Sequence, residues 1–121
     1  MPAILLDTSS IVFAFSNKVD LFAKVEERLD AKPLISAGVM RELQKLSKRK
    51  TKEGRAAKMA LQVIENHRIV ILSDNGPVDD FLVRAGTEGR IAVCTNDIGL
   101  KKRLKSKGAK PLSVSRSGVL R

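Results

Sequence analysis

Short apolar runs alternate with longer amphipathic stretches along the whole chain. Each run is too short for a helix, and several are rich in β-branched residues, as buried strands are. The runs cover residues 3–6, 33–35, 69–72, 91–94 and 111–114. We expect a strand at each of these positions.

The stretches between the runs have the spacing of amphipathic helices. In the first of them, Leu21, Phe22, Val25 and Leu29 fall on one face, and Asp20 stands where an N-cap belongs. Further helices are predicted at about 37–46, 52–66, 78–85 and 98–107. This alternation predicts an α/β fold of three layers, with helices on both faces of a central parallel sheet of about five strands. A length of 121 residues suits a single domain over 1–121.

An aspartate follows the first and the fourth apolar run, namely Asp7 and Asp97. In an open parallel sheet, ligands bind at the carboxyl ends of the strands, near the point where the strand order reverses. If the first and fourth strands are neighbours, the two carboxylates meet in one crevice. The alternative for Asp7 is that it only caps a helix beginning near Ser10, and for this residue alone both interpretations stand.

Three more acids can be placed relative to the crevice. Glu42 is three residues after Val39 and four before Leu46, so it flanks the apolar stripe of its helix and leans inward. Asp79 and Asp80 begin the helix predicted from residue 78. Acids in a first helical turn commonly cap free N–H groups and suit the helix dipole, which is the alternative role for this pair.

Clustered carboxylates require cations, because two unit charges about 4 Å apart repel by roughly 4 kcal/mol at an effective dielectric constant of 20. The chain has one cysteine, Cys94, and one histidine, His67, so any metal must be held by oxygen. Oxygen ligands select hard ions such as Mg²⁺ or Mn²⁺. These ions activate water and stabilise charge on phosphate, so phosphodiester hydrolysis is the reaction that the residues favour.

The formal net charge of +10 points to a polyanionic partner, and on charge alone RNA, DNA and anionic membranes all remain open. Four Phe and no Trp or Tyr favour phosphate contacts over base stacking. Two dense basic runs are candidates for these contacts, although each is alternatively an ordinary solvated face. The predicted RNA-binding residues are Lys45, Lys48, Arg49, Lys50, Lys52, Arg55, Lys101, Lys102 and Arg103.

No stretch approaches the roughly 20 apolar residues that a membrane-spanning helix needs. The apolar start is only a few residues long and no cation precedes it, so it does not have the pattern of a signal peptide. The sequence therefore predicts a soluble, cytoplasmic protein with no membrane partner.

The stretches LLDTSS, VMRELQKL, VDDFLVRAG and IAVCTNDIGLKKRLKSKGAKPL together resemble the PIN domain nuclease family. The likeness spans nearly the whole chain. Within the family, the chain most resembles the archaeal and eukaryotic branch that processes ribosomal RNA. It implies a parallel sheet with the first and fourth strands adjacent, and an Mg²⁺- or Mn²⁺-dependent endoribonuclease acting in rRNA or other RNA processing. RNA, a second copy of the chain and ribosome-assembly proteins are the partners that the resemblance implies.

The resemblance also implies a role for individual residues. Its catalytic and metal-binding acids are Asp7, Glu42, Asp80 and Asp97.

The supporting positions are Thr8, Thr95 and Asn96, together with Asp79, which is easily confused with Asp80. Asp80 is preferred because the residues after it, Phe81-Leu82-Val83, resemble the apolar triplet that follows the family's catalytic acid.

Two alternatives to RNA processing stay open: a toxin-type ribonuclease of a toxin–antitoxin pair, and a catalytically silent RNA-binding module that keeps the fold. A phosphoacceptor receiver domain also clusters acids on a similar sheet. It would need an acidic pair after the first strand and a lysine after the last, whereas Asp7 stands alone and the last run ends in serines.

Overall fold

The computed structural model describes residues 2–74, 76–89 and 91–121. Its strands, in chain order, are β1 (Ala3–Leu6), β2 (Lys32–Ser36), β3 (Val70–Leu72) and β4 (Ala92–Cys94). Its helices are α1 (Thr8–Ser16), α2 (Leu21–Leu29), α3 (Ala37–Leu46), α4 (Lys52–Asn66), α5 (Val78–Glu88) and α6 (Ile98–Ser106). The predicted three-layer α/β class is confirmed.

The strands form one parallel sheet in the order β3-β2-β1-β4. The expected adjacency of the first and fourth strands is therefore confirmed, with Leu6 opposite Cys94 in the register. From β1 the chain passes to the neighbouring strand β2 and then to β3 at the edge of the sheet. It then crosses back to form β4 on the other side of β1. The order reverses between β1 and β4, and the carboxyl ends of these two strands form the crevice that the sequence predicted.

Within the described residues the sheet has four strands, not about five, because the segment 111–114 does not form a full strand. It makes only isolated bridges, Cys94 to Leu112 and Val114 to Leu120. Pro111 has no N–H to donate, and Ser113 turns away to exchange two backbone hydrogen bonds with Arg121. The end of the chain folds back on itself and leaves the sheet edge after one bridge.

The helix predictions are confirmed in position, and most ends agree closely because capping residues mark them. Side chains of Asp20, Ser36, Thr51 and Asp97 each accept a hydrogen bond from a backbone N–H in the first turn of their helix. Helix α5 runs three residues further than expected, to Glu88. Helix α1 begins at Thr8, two residues before the start considered for it.

Alternate residues of the sheet face two separate cores. Ile4 and Leu6 of β1 pack into the core beneath α1, α2, α3 and α4. Leu5, between them, packs with Leu82 and Leu104 into the core beneath α5 and α6. Both faces of the central strand are covered, which is why its apolar run is continuous rather than alternating. No helix in the described ranges is both long and apolar enough to span a membrane.

Candidate active site

Asp7 lies at the carboxyl end of β1, where the strand order reverses. Its backbone N–H donates to the carbonyl oxygen of Cys94 (2.9 Å), which fixes the start of α1 against the end of β4. Only 5% of the residue is exposed. The carboxylate therefore lies at the bottom of the crevice, where the two central strands end.

Three donors surround the Asp7 carboxylate. Oδ1 accepts from the backbone N–H of Thr8 (2.8 Å), and Oδ2 accepts from the hydroxyls of Ser9 (2.8 Å) and Thr95 (2.7 Å). Burial nevertheless raises the pKa of Asp7 above its ordinary value, because the hydrogen bonds lower it by less, and the negative charge of Asp79 raises it further. The fold thus holds a carboxylate whose charge it compensates incompletely, as functional sites often do.

Two threonines connect Asp7 to two other predicted acids. The Thr8 hydroxyl donates to Oε1 of Glu42 on α3 (2.6 Å). The Thr95 hydroxyl, which donates to Asp7, also accepts from the backbone N–H of Asp97 (3.1 Å). These contacts form a continuous chain from Glu42 through Asp7 to Asp97, which we call the acid network. Glu42 is 34 residues from Thr8 and Thr95 is 88 residues from Asp7, and the fold brings them to one edge of the sheet.

Asp7 and Asp97 are both helix caps as well as members of the acid network. Asp7 is the N-cap of α1 and accepts from Thr8, and Asp97 is the N-cap of α6 and accepts from the N–H of Leu100 (3.0 Å). The two interpretations weighed for Asp7 are therefore not exclusive. Each carboxyl group is held in a fixed orientation by the helix that it caps.

The two adjacent acids of α5 have different surroundings. Oδ1 of Asp80 accepts from Nη2 of Arg103 on α6 (2.8 Å), and both side chains are about half exposed. Asp79, by contrast, is the acid of this pair whose charge raises the pKa of Asp7. The two acids thus differ in their surroundings: Asp80 is ion-paired with Arg103, and Asp79 adds its charge to that of Asp7.

Asn96 holds together three segments next to the acid network. Its Oδ1 accepts from the Ser10 hydroxyl (3.0 Å) and from the N–H of Val114 (3.0 Å), while its Nδ2 donates to the Val114 carbonyl (2.9 Å). Its backbone N–H donates to the Ser9 hydroxyl (3.1 Å). Asn96 thereby joins the end of β4, the first turn of α1 and the C-terminal segment.

The basic residues predicted to bind RNA lie on two surfaces. Those from Lys45 to Arg55 are exposed at the end of α3, in the following loop and in the first turn of α4. On α6, Lys102 and Arg103 are exposed, and Arg103 is paired with Asp80. Lys101 is half-buried, and its positive charge slightly lowers the pKa of nearby Cys94, which places it close to the end of β4.

Comparison with known proteins identifies the family to which this chain belongs. A family model described as a PIN like domain matches residues 4–115. This range contains all the predicted acids and, apart from Ala3, every residue of the four strands. The chain belongs to the PIN like domain family.

The relatives of this PIN domain include nucleases and an rRNA-processing protein. It is 33% identical over 104 residues to Ribonuclease VapC9 of Archaeoglobus fulgidus, covering 85% of this chain and 76% of the relative. It is 36% identical over 115 residues to rRNA-processing protein FCF1 of Saccharomyces cerevisiae, covering 90% of this chain but only 57% of FCF1. The solved structure of the PIN domain endonuclease Utp24 superposes with a TM-score of 0.78 at 29% identity, covering 98% of this chain and 89% of that one.

Two further polar residues of the PIN domain were not among the predicted site residues, one within the acid network and one apart from it. Ser9 donates to Asp7 and exchanges a hydrogen bond with Thr95 (3.1 Å), so it belongs to the acid network. The side chain of Asp74 is fully buried, and its Oδ2 accepts from the N–H of Gly38 in the first turn of α3 (3.0 Å). Asp74 stands two residues after β3, so the order of apolar run and acid could have pointed to it.

Cys94 ends the fourth apolar run, which was predicted to be a buried strand, and its burial is confirmed. It is fully buried, and burial raises the pKa of its thiol to about 11. The thiolate that would act as a nucleophile or metal ligand is therefore scarce at neutral pH.

Replacement of Asp7 by Asn is expected to stabilise the metal-free PIN domain. The amide keeps the shape of the carboxylate and removes the buried charge, so the free energy of unfolding should rise by about 1 kcal/mol at pH 7.5. The pKa of Asp7 is raised in the folded state. Ionisation of Asp7 therefore lowers the free energy of unfolding at pH values above its folded-state pKa, and has no effect at pH values below its unfolded-state pKa. Thermal melts in a chelator should show the difference between variant and wild type shrinking as the pH falls toward 4.

Asp20→Asn is the matched control for that comparison, because Asp20 caps α2 outside the acid network. Asn and Asp are about equally good N-caps, so this variant should melt within roughly a degree of the wild type. A lower melting temperature for Asp7→Asn than for the wild type at pH 7.5 would contradict the expected charge burden on Asp7.

Proposed function

We propose that this PIN domain is a metal-dependent endoribonuclease that hydrolyses phosphodiester bonds of RNA. The observation that carries the proposal is the acid network, which has a buried carboxylate with a raised pKa at its centre. Thr8 joins it to Glu42 through its backbone N–H and hydroxyl, and the Thr95 hydroxyl joins it to the backbone N–H of Asp97. The relatives named ribonuclease and the similarity to a PIN domain endonuclease support the same activity.

The donors of the site fit a hard divalent cation. Asp7, Glu42, Asp79 and Asp97 supply carboxylate oxygens only, which is the chemistry that Mg²⁺ and Mn²⁺ prefer. In the part of the chain that the structure describes, no three acidic, His or Cys side chains stand close enough together to enclose an ion. An ion at this site would be bound directly by one or two of the four carboxylates, and the others would act through its water ligands, as is usual for Mg²⁺.

We assign the acids of this chain as follows. Asp7 and Asp97 would hold the ion from the ends of the central strands, with Glu42 and Asp79 contributing from α3 and α5. When bound, a divalent cation supplies a water of lowered pKa and neutralises charge on the phosphate. Thr8, Ser9 and Thr95 keep the carboxylates oriented through the hydrogen bonds described above. Asp80, the acid expected from sequence, is instead assigned to the ion pair with Arg103.

The basic residues would hold the RNA backbone. Lys45, Lys48, Arg49 and Lys50 are exposed beyond the end of α3, the helix that carries Glu42. On the other side of the crevice, Lys101 and Lys102 follow the Asp97 cap of α6. Positive charge on both sides of an acidic centre suits a phosphate backbone crossing it, and binding of this kind weakens steeply with salt.

Processing of ribosomal RNA is the biological role that we infer first, in partnership with ribosome-assembly proteins. The identity of 36% to the rRNA-processing protein FCF1 supports it. A toxin-type ribonuclease, the alternative that the family resemblance left open, is the second candidate; the identity of 33% to Ribonuclease VapC9 supports the ribonuclease activity that both candidates share. Formation of a homodimer stays a prediction of the family resemblance.

The proposed activity is tested by incubating the purified chain with an end-labelled, structured ribosomal RNA precursor. Internal fragments are expected with Mn²⁺ or Mg²⁺ and none with EDTA, because without a cation the acid network repels the phosphate. Released mononucleotides in place of internal fragments would indicate an exonuclease. RNA binding without cleavage under all of these conditions would replace the nuclease by the silent RNA-binding module.

A further inference from the structure

A cavity of about 640 Å³ opens beside the acid network. Thr8 and Ser9, which bond Glu42 and Asp7 through their hydroxyls, form one end of it. From there it extends along α1 toward the first turn of α4. Its volume is in the range of roughly 300–1,000 Å³ that small-molecule sites occupy. The cavity is therefore continuous with the proposed catalytic centre and large enough for part of a substrate.

The far wall of the cavity carries positive charge. Lys52 of α4 and Arg116 of the C-terminal segment line it, together with one acid, Glu53. Arg116 reaches this position because the segment before it is fastened to Asn96 by two hydrogen bonds at Val114. Two cations against one acid favour an anionic ligand at this end.

The side of the cavity formed by α1 combines an aromatic ring with polar groups. Phe13 is half-buried and lines the cavity, as do Ser16 and Asn17. The Asn17 amide donates to the carbonyl oxygen of Phe13 (2.8 Å), which fixes its side chain at the end of the helix. An aromatic face beside fixed polar groups is suited to a nucleobase, and base stacking on aromatic side chains is tolerant of sequence.

We propose that this cavity holds one unpaired nucleotide of the RNA, next to the phosphodiester bond that is cleaved. Its base stacks on Phe13, and Lys52 and Arg116 contact its phosphates. The inference rests on the proposed nuclease function and adds to it a base-binding site outside the acid network. Base stacking on Phe13 revises the expectation that phosphate contacts alone hold the RNA.

The test uses the cleavage-deficient Asp7→Asn chain and short single-stranded RNAs that carry 2-aminopurine at successive positions. One position should change its fluorescence on binding. Removing the base at that position should weaken binding about tenfold. In Asp7→Asn/Phe13→Leu the same removal should change affinity less than twofold, because the stacking partner is already lost. Arg116→Gln should reduce the slope of log affinity against log salt by about 0.7.

Phe81→Leu provides the matched control. Phe81 is also half-buried, but it packs in the core beneath α5 and α6 and lines no part of this cavity. Equal effects of base removal in the Phe13 and Phe81 variants would overturn the nucleotide site while leaving metal-dependent cleavage by the wild type intact. Absence of both RNA binding and cleavage in the wild type would instead overturn the proposed function itself.

Discussion

Asp7→Asn is expected to reduce RNA cleavage at least about a thousandfold while changing RNA affinity less than about threefold. An amide of the same shape fits the buried place of Asp7, because its oxygen can still accept from the Thr8 N–H while its NH₂ donates to the Ser9 and Thr95 hydroxyls, which can also accept. The amide lacks the charge that would hold a divalent cation beside the phosphate. Affinity should persist because the exposed lysines and arginines, not the acid network, attract the RNA.

Initial rates of Mn²⁺-dependent cleavage and filter binding to the same RNA measure the two quantities. Asp20→Asn, purified in parallel, should cleave at the wild-type rate, since Asp20 is a helix cap outside the network. Comparable cleavage by all three preparations would reveal a contaminating nuclease or a misplaced site. A fall in affinity matching the fall in rate would mean that Asp7 acts on binding and not on the chemical step.

Asp79→Asn is expected to reduce cleavage roughly a hundredfold or more, and Asp80→Asn less than about threefold. The two residues are neighbours in the same helical turn and undergo the same chemical change, so each variant controls for the other. Asp79 adds its charge to the surroundings of Asp7, whereas Asp80 is paired with Arg103. That surface pair is worth at most about 1 kcal/mol, so its loss should not unfold the protein.

Rates measured across a range of Mn²⁺ concentrations distinguish the reasons for a defect. If Asp79 helps to hold the ion, its variant should need more Mn²⁺ to reach half of its maximal rate, and the Asp80 variant should not. The reverse order of defects would restore Asp80 as the third acid, as the sequence resemblance had it.

The positions of the strands and helices could be predicted because their signals are local. The caps at Asp20, Ser36 and Thr51 each act within three residues, and the apolar runs are short and separate. The convergence of Asp7 and Asp97 was predictable as well, since parallel strands end at the same edge and their order follows a common pattern.

Other features depend on how elements pack, which local patterns do not contain. Successive helical residues point about 100° apart, so the choice between Asp79 and Asp80 depends on the orientation of α5 against α6 and its Arg103. The fifth strand failed because the pairing of Ser113 with Arg121 competes with the sheet edge. The nucleotide cavity needs Arg116, which reaches α1 only through the side chain of Asn96.

The double use of Asp7 and Asp97 as helix caps affects how related sequences should be judged. A descendant that had lost nuclease activity would still be selected to keep a capping residue at these two positions, since α1 and α6 depend on them. Glu42 lies within α3, and no side chain among the described residues caps α5, the helix of Asp79. Helix capping therefore gives no reason to retain Glu42 or Asp79. Divergence at positions 42 and 79, with both caps intact, is therefore the evolutionary signature of a relative that has become a pseudoenzyme.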